Sequence, residues 1–508
     1  MLIEEEPPES AQALPPVSDE DLGHLDEQEP AEPPSITESL EDDSQAAEPE
    51  RPRLRREPIV GERGAPEVMT DRRDAPDLDQ REDAKPTPGQ RALWIPRVLL
   101  APVYGVTEYV IRRPIGAFAL WGEQNHLGSK VANVLTFGTG GRIGVYPTAL
   151  FDFGLRSSVG LYLFSNDTPR EGDHMRMHFA WGGSDWWRFT FRERILLGGN
   201  GGQNTELSAS RLGFHFVFDQ RPDHLFTNGI GISEDDTIAA YKWTRLGGQI
   251  DAEWAFGELD GLEAHFAASR NRFGDGDGSI DQADVAFFEL LQQEGTTDLL
   301  EANDVAPGFD GYELIDIGTT VTLDSRDADP ASAGSGVRLA MSGRYGNDVG
   351  DAERSWLGGS THLTLYGDIN GRRRVFSVSQ RAELVSSLGD KPIPYTELPG
   401  LGGTEGLRGY VAERARGEST LLTAFQYTYP VWAFMDGFVF YEVGNAYAGA
   451  FEGASLRGMA SSFGMGLRSN GDRDVQFSLL FGAGLTPFDA DDYGIQSTRI
   501  LLGAQRGF

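Results

Sequence analysis

From Gly140 onward, apolar and polar positions alternate with a period of two. Ser157, Val159, Leu161 and Leu163 interleave with Ser158, Gly160, Tyr162 and Phe164. Met175, Met177 and Phe179, then Trp187, Phe189 and Phe191, and later Thr361, Leu363 and Leu365 with Phe438 and Phe440, continue the pattern. Runs of about ten residues rich in β-branched and aromatic side chains, separated by Gly, Asp and Asn turns, specify strands. They are predicted near 141–151, 154–165, 173–182, 185–195, 206–219, 236–256, 261–272 and 312–325. The second half follows near 336–346, 357–369, 373–388, 420–430, 434–447, 461–469, 473–486 and 496–508, which makes sixteen.

Three features favour an all-β, 16-stranded antiparallel transmembrane β-barrel over a soluble sandwich or propeller. Strands of ten or more residues are long for soluble sheets but suit a tilted membrane crossing. Connections alternate in length: 389–419 is long, 431–433 tight, 448–460 longer, 470–472 tight and 487–495 longer. Short turns at one barrel end and long loops at the other give that rhythm. Several strands also place polar residues on one face and Leu, Phe or Trp on the other, as a wet lumen and a lipid-facing band require. No repeat of the size of a propeller blade is evident. Closure into a barrel also removes the edges of so large a sheet.

The first 130 residues are of another kind. Residues 1–90 carry 26 acidic and 9 basic residues and 14 of the 27 prolines, with no Phe, Trp or Tyr. Such a segment cannot bury enough apolar surface to offset its chain entropy, so a disordered acidic tail is expected over 1–90. It is read either as a solvated linker or as a tether for a periplasmic partner. Residues 91–130 are apolar but broken by Pro96, Pro102 and Pro114, with Glu108, Arg112 and Arg113 inside. That argues against a spanning helix and leaves two readings of this connector to the barrel at 131–508: short amphipathic helices at the membrane surface or against the base of a domain, or a core helix. Met1-Leu2-Ile3 runs into acids with no basic or apolar leader pattern, so no signal peptide is visible. The formal net charge of −34 argues against nucleic acid, and the absence of Cys excludes disulfides and thiolate chemistry.

The most informative stretch runs from Leu398 to Tyr410. Gly400, Gly402, Gly403, Gly406 and Gly409 let the chain fold back tightly. Arg408 at the tip of such a loop predicts a segment tucked into the lumen and pinned by its charge. A buried guanidinium needs a carboxylate. Glu442, in Phe440-Tyr-Glu-Val-Gly-Asn-Ala-Tyr447, is the candidate, with Tyr441 and Val443 on the opposite face.

In these motifs the sequence resembles the outer-membrane insertases of the BamA/TamA superfamily, also called surface antigens. Leu407-Arg408-Gly409-Tyr410 matches the family's barrel-entering loop motif. Glu442 occupies the acidic position before Gly444, where the family usually has Asp. Asp324 and Arg326 look like its Asp-x-Arg strand end, and the chain closes on Phe508 as family members close on an aromatic. The resemblance implies a bacterial outer-membrane barrel whose clients are unfolded outer-membrane proteins, admitted where the first and last strands meet. Residues 1–130 have neither the apolar content nor the room for the family's periplasmic POTRA modules, so the resemblance is to the branch of the family that lacks POTRA domains. A passive or plugged pore and a surface receptor or adhesin are the rival readings.

Asp275, Asp277, Asp281 and Asp284 in the loop 273–311 are spaced like oxygen ligands of a calcium loop, followed by a helix expected over 285–294. Phe273 stands where the first ligand belongs, and an acidic solvated loop explains the same residues. His174 and His178 share a strand face at a spacing that suits a metal pair, or simply line the lumen. Gly198–Gly202 lacks the Lys-Ser/Thr of a phosphate loop. No constellation of catalytic side chains is apparent, and no enzymatic activity is expected.

Overall fold

The computed structural model describes residues 134–504, apart from 139–140, 198–209, 234–235, 258, 278–282, 294–305, 327–333, 351–352, 369–372, 405, 433–434, 470–476 and 491. The acidic tail, the connector and Phe508 lie outside the described residues.

Sixteen strands follow one another in antiparallel order. They are β1 (Ile143–Asp152), β2 (Ser158–Asn166), β3 (Asp173–Gly183), β4 (Trp186–Leu196), β5 (Arg211–Thr227), β6 (Ile238–Ala255), β7 (Gly261–Asp275) and β8 (Tyr312–Asp324). The rest are β9 (Gly336–Asp348), β10 (Ser355–Asp368), β11 (Val375–Ser387), β12 (Ser419–Trp432), β13 (Met435–Tyr447), β14 (Ala460–Ser469), β15 (Phe477–Leu485) and β16 (Ile495–Ala504). Each strand pairs with its sequence neighbour, and β16 returns to β1, so the sheet closes into a barrel. No described helix is long and apolar enough to cross a membrane.

The period-two pattern decides which way each side chain points. Leu161, Trp181, Ile250, Leu363, Phe376 and Phe481 face outward and are exposed. A belt of large apolar side chains on this scale would aggregate in water and is at home in lipid. Facing inward are pairs such as Arg188 with Asp219, and His265 with Asp316 at 2.7 Å.

One strand runs farther than its sequence indicates. Residues 206–219 were expected as a strand ending before Pro222, yet β5 continues to Thr227. The ladder to β6 shifts register between Arg221 and His224, so Pro222 sits in a bulge, where its missing N–H breaks no rung. The extension carries Phe226 into a cluster at one mouth of the barrel with Tyr241, Phe287, Leu290, Phe309 and Tyr395. Phe287 begins α1 (Phe287–Gln293), shorter than the helix expected over 285–294. Val285–Ala286 instead pair in parallel with Ala239–Ala240 of β6.

Candidate functional site: the motif loop and the seam

Residues 388–418 connect β11 to β12, and Gly400 to Arg416 fold back against the barrel wall. Gly400 and Leu401 pair with Arg416 and Ala415, closing the base of a tight excursion. At its turn Gly402 has φ +112°, and a Cβ there would lie 2.1 Å from the Val411 carbonyl oxygen. Only glycine fits. Leu407 has a positive φ of 51° although it carries a side chain. It is fully buried, so packing holds it there.

Arg408 meets Glu442. Its Nε donates to Glu442 Oε1 at 2.7 Å, and its backbone N–H donates to Oε2 at 2.6 Å. One carboxylate therefore fixes both the side chain and the backbone of the loop tip. Arg408 Nη1 also donates to Gln426 Oε1 on β12 at 2.8 Å. Ser462 on β14 donates its hydroxyl to Glu442 Oε2 at 2.9 Å. The guanidinium carbon sits 3.9 Å from the Phe440 ring centroid, a cation–π contact. Charge, hydrogen bonds and ring face together offset the desolvation of a pair with 13% and 3% of its side-chain surface exposed. Glu442 stands where the resemblance leads one to expect Asp, and its two oxygens serve the side chain and the backbone of Arg408.

The wall is shaped to receive this loop. A Cβ on Gly409 would lie 2.2 Å from the Ala483 carbonyl oxygen, and one on Gly484 would lie 2.5 Å from the Tyr410 ring. β15 is thus a glycine-lined trough, and Tyr410 lies in it fully buried. Its hydroxyl donates to the Leu485 carbonyl oxygen, while Ser497 of β16 donates to the Gly409 carbonyl oxygen at 3.1 Å. Gly444, flagged in sequence, also faces a wall: a Cβ there would lie 2.4 Å from the Leu421 carbonyl oxygen.

Three further charges in the loop escaped the sequence reading. Arg414 Nη1 donates to Asp236 at 3.0 Å, and Arg416 Nη1 donates to the Leu398 carbonyl oxygen at 2.9 Å. Glu413 accepts from His224 Nδ1 at 3.1 Å and lies 3.4 Å from Arg416. Burial alone would raise the Glu413 carboxyl, but the charges of His224, Arg416 and Arg221 outweigh it and hold the group well below the usual carboxylate range. The only sequence signal was a cluster of one acid and two bases, Glu413-Arg-Ala-Arg416, inside a loop otherwise built to be buried.

Asp324 and Arg326 are brought together far from this site, at the opposite end of the barrel. Arg326 grips Asp324 with two nitrogens, Nε at 2.9 Å and Nη2 at 2.6 Å, and its guanidinium stacks 4.6 Å from the Tyr366 ring. The acidic loop is described only in part, with residues 278–282 outside the described residues. Asp277 receives Arg156, and Asp284 accepts the Ile238 N–H at 2.9 Å. Asp275 ends β7 opposite Tyr241, and Asp281 lies outside the described residues. Among the described residues no group of acidic or histidine side chains is arranged to hold a metal ion. His174 bonds to Asn166 and His178 to Thr148, so each serves a neighbouring strand.

Among the described residues, the meeting of first and last strands is the shortest ladder in the barrel. β1 pairs with β2 from Ile143 to Leu150, but with β16 only at Leu150, Phe151 and Asp152, opposite Gly503, Leu502 and Leu501. One more bond, Phe153 N–H to the Ile500 carbonyl at 2.9 Å, ends the contact. At the other end of β1, Thr136 and Phe137 cover Gly144 and Ile143. Between them the seam-side edge of β1 at 145–149 has no strand partner among the described residues. Pro147 lies in this stretch. Arg142 accepts from β2 and Phe153 donates across the seam, so the alternation of an antiparallel strand aims the odd residues, Pro147 included, at the seam. The missing N–H thus falls on the seam side of β1, as proline in edge strands does.

Residues 189–471, more than half of the chain, match the model of the Omp85 superfamily domain. The chain belongs to the Omp85 superfamily. Among solved structures it is similar to BamA from Haemophilus ducreyi lacking POTRA domains 1–3, at 11% identity and a TM-score of 0.47, covering 72% of this chain and 70% of that one. CdiB from Acinetobacter baumannii matches at 9% identity and a TM-score of 0.43, over 72% of this chain and 60% of that one. CdiB from Escherichia coli matches at 10% identity and a TM-score of 0.44, over 71% and 62%. The chain thus spans less than two thirds of either CdiB. No curated protein matches it in sequence. The superfamily assignment agrees with the resemblance drawn from Leu407–Tyr410 and Glu442.

Proposed function

We propose that this Omp85 barrel resides in the bacterial outer membrane and assists the insertion of other outer-membrane β-barrel proteins at the seam between β1 and β16. The observation that carries this reading is that, among the described residues, β1 and β16 are paired only at Leu150–Asp152, while every other pair of neighbouring strands is matched over eight residues or more. An unpaired strand edge templates hydrogen bonds to an incoming strand, so a client adds to the sheet by β-augmentation. The apolar belt beside the seam meets the lipid into which that client must pass. The motif loop holds the β12–β16 wall in shape through Arg408, so that β16 presents a fixed edge while β1 moves.

The chain's own residues suffice for this work, because strand exchange needs neither a nucleophile nor a nucleotide. The test is the folding of a substrate barrel into liposomes with and without this protein. Faster folding on its addition is expected; the same rate as in empty liposomes would end the proposal. A second reading, passage of a polypeptide through the lumen, is favoured by a cavity of about 620 Å³ lined by Arg188, Asp219, Arg245, His215 and Glu413. Single-channel recording separates the two: a large steady conductance that ignores Arg408 favours passage.

A further inference from the structure

The seam has a second fastening besides its backbone. Arg499 on β16 and Asp152 on β1 point inward and meet across it: Nε donates to Oδ1 at 2.8 Å and Nη2 donates to Oδ2 at 2.6 Å. This is the parallel, two-bond fork of guanidinium and carboxylate, and it is well buried, with 2% and 10% of the two side chains exposed. It joins residues 347 positions apart in sequence. Asp152 is itself one of the three β1 residues paired with β16. Two charge-assisted bonds therefore reinforce the three-residue backbone ladder described between β1 and β16. Both residues line the luminal cavity, so they can be solvated from inside once parted. Burial makes a half-broken pair costly, and the fork accordingly behaves as open or shut with little between.

We propose that Asp152 and Arg499 are a latch that keeps the seam closed at rest, and that its release is what frees the β1 edge for a client. This rests on the insertase reading for its purpose but not for its test. The chain has no cysteine, so a single introduced thiol reports alone. Leu501 at the seam and Leu480 on β15 are each 2% exposed and share one buried cluster. In the full-length protein, labelling of L501C by a small maleimide reads how often the seam opens, and L480C reads general loosening.

With D152N or R499Q the L501C thiol should label about tenfold faster, as expected when a buried charge-assisted pair is lost, and L480C should not change. The charge-swapped D152R/R499D protein should return most of the way to the parent rate. Unchanged labelling in the single variants would overturn the latch. So would a swapped protein that labels as fast as the single variants, even where those accelerate both thiols by partly unfolding. Faster labelling without any change in client folding would leave the latch standing and count against the insertase reading.

Discussion

β12 and β13 are hydrogen-bonded to each other from Ser419 to Trp432 and from Met435 to Tyr447, while among the described residues β1 and β16 share three each. The two regions lie in one barrel and are built from similar residues. They differ in what backs them. The β12–β15 wall has the motif loop pressed against it, with Arg408 tied to Glu442 and Gln426, and Tyr410 seated in the trough of β15. Among the described residues the seam is backed by less: Gln496 and Ser497 of β16 touch the loop or its neighbour Ser233, and Asp152 and Arg499 meet across it. A closed sheet can therefore be firm where a loop braces it and loose at the one ladder that must part, without any change of fold class.

Breaking the brace is expected to give the largest effect. R408A leaves Glu442 buried with only the Ser462 hydroxyl and the backbone N–H of residue 408 to satisfy it, a loss of roughly 3–5 kcal/mol as for other broken buried pairs. Urea unfolding in detergent measures it, and a loss below about 1 kcal/mol would show that the loop is held by packing alone. R408K sharpens the comparison, since it keeps the charge but loses the planar fork that serves Glu442 and Gln426 together. Its stability should fall between the parent and R408A.

A smaller effect is expected from the trough. G484A puts a methyl group against the Tyr410 ring and should cost about 1–3 kcal/mol, the usual range for overpacking. G343A, on β9, where a Cβ meets nothing, is the control. Equal stability of the two variants would mean that Tyr410 does not occupy the trough.

The smallest effect concerns acid. Glu413 is held below its unfolded value of about 4.3, so its stabilising contribution is complete above that pH and is lost as pH falls through the depressed value. The parent barrel should keep its loop fastened at neutral and mildly acidic pH. Below about pH 4 its denaturation midpoint should decline more steeply than that of E413Q, which lacks this titration. Parallel curves would remove Glu413 from the brace.

Much of this was legible in the chain. Alternation gave sixteen strands, and the Arg408 and Glu442 positions stood out because a charge in a glycine-rich loop and a carboxylate in a strand of aromatics both need partners. What sequence hid was whatever depends on register. Gln426, Ser462 and Gly484 lie on three different strands and converge only because β12, β13, β14 and β15 are staggered as they are; nothing local marks them. β5 was cut short because Gln220-Arg-Pro-Asp223 reads as a turn, whereas a bulge absorbs the proline and the strand goes on to the apolar cluster at the mouth. Asp152 and Arg499 were invisible for the same reason, being neighbours only across a closure that no short-range pattern records.

The central claim is that the seam must part for a client to enter. Phe151 and Leu502 are paired across it and face outward, each 43% exposed, in a protein that has no other thiol to compete. The F151C/L502C protein, oxidised to a disulfide in the membrane, should lose its acceleration of client folding and recover it when a reductant is added. Equal acceleration in the oxidised and reduced states would contradict the account.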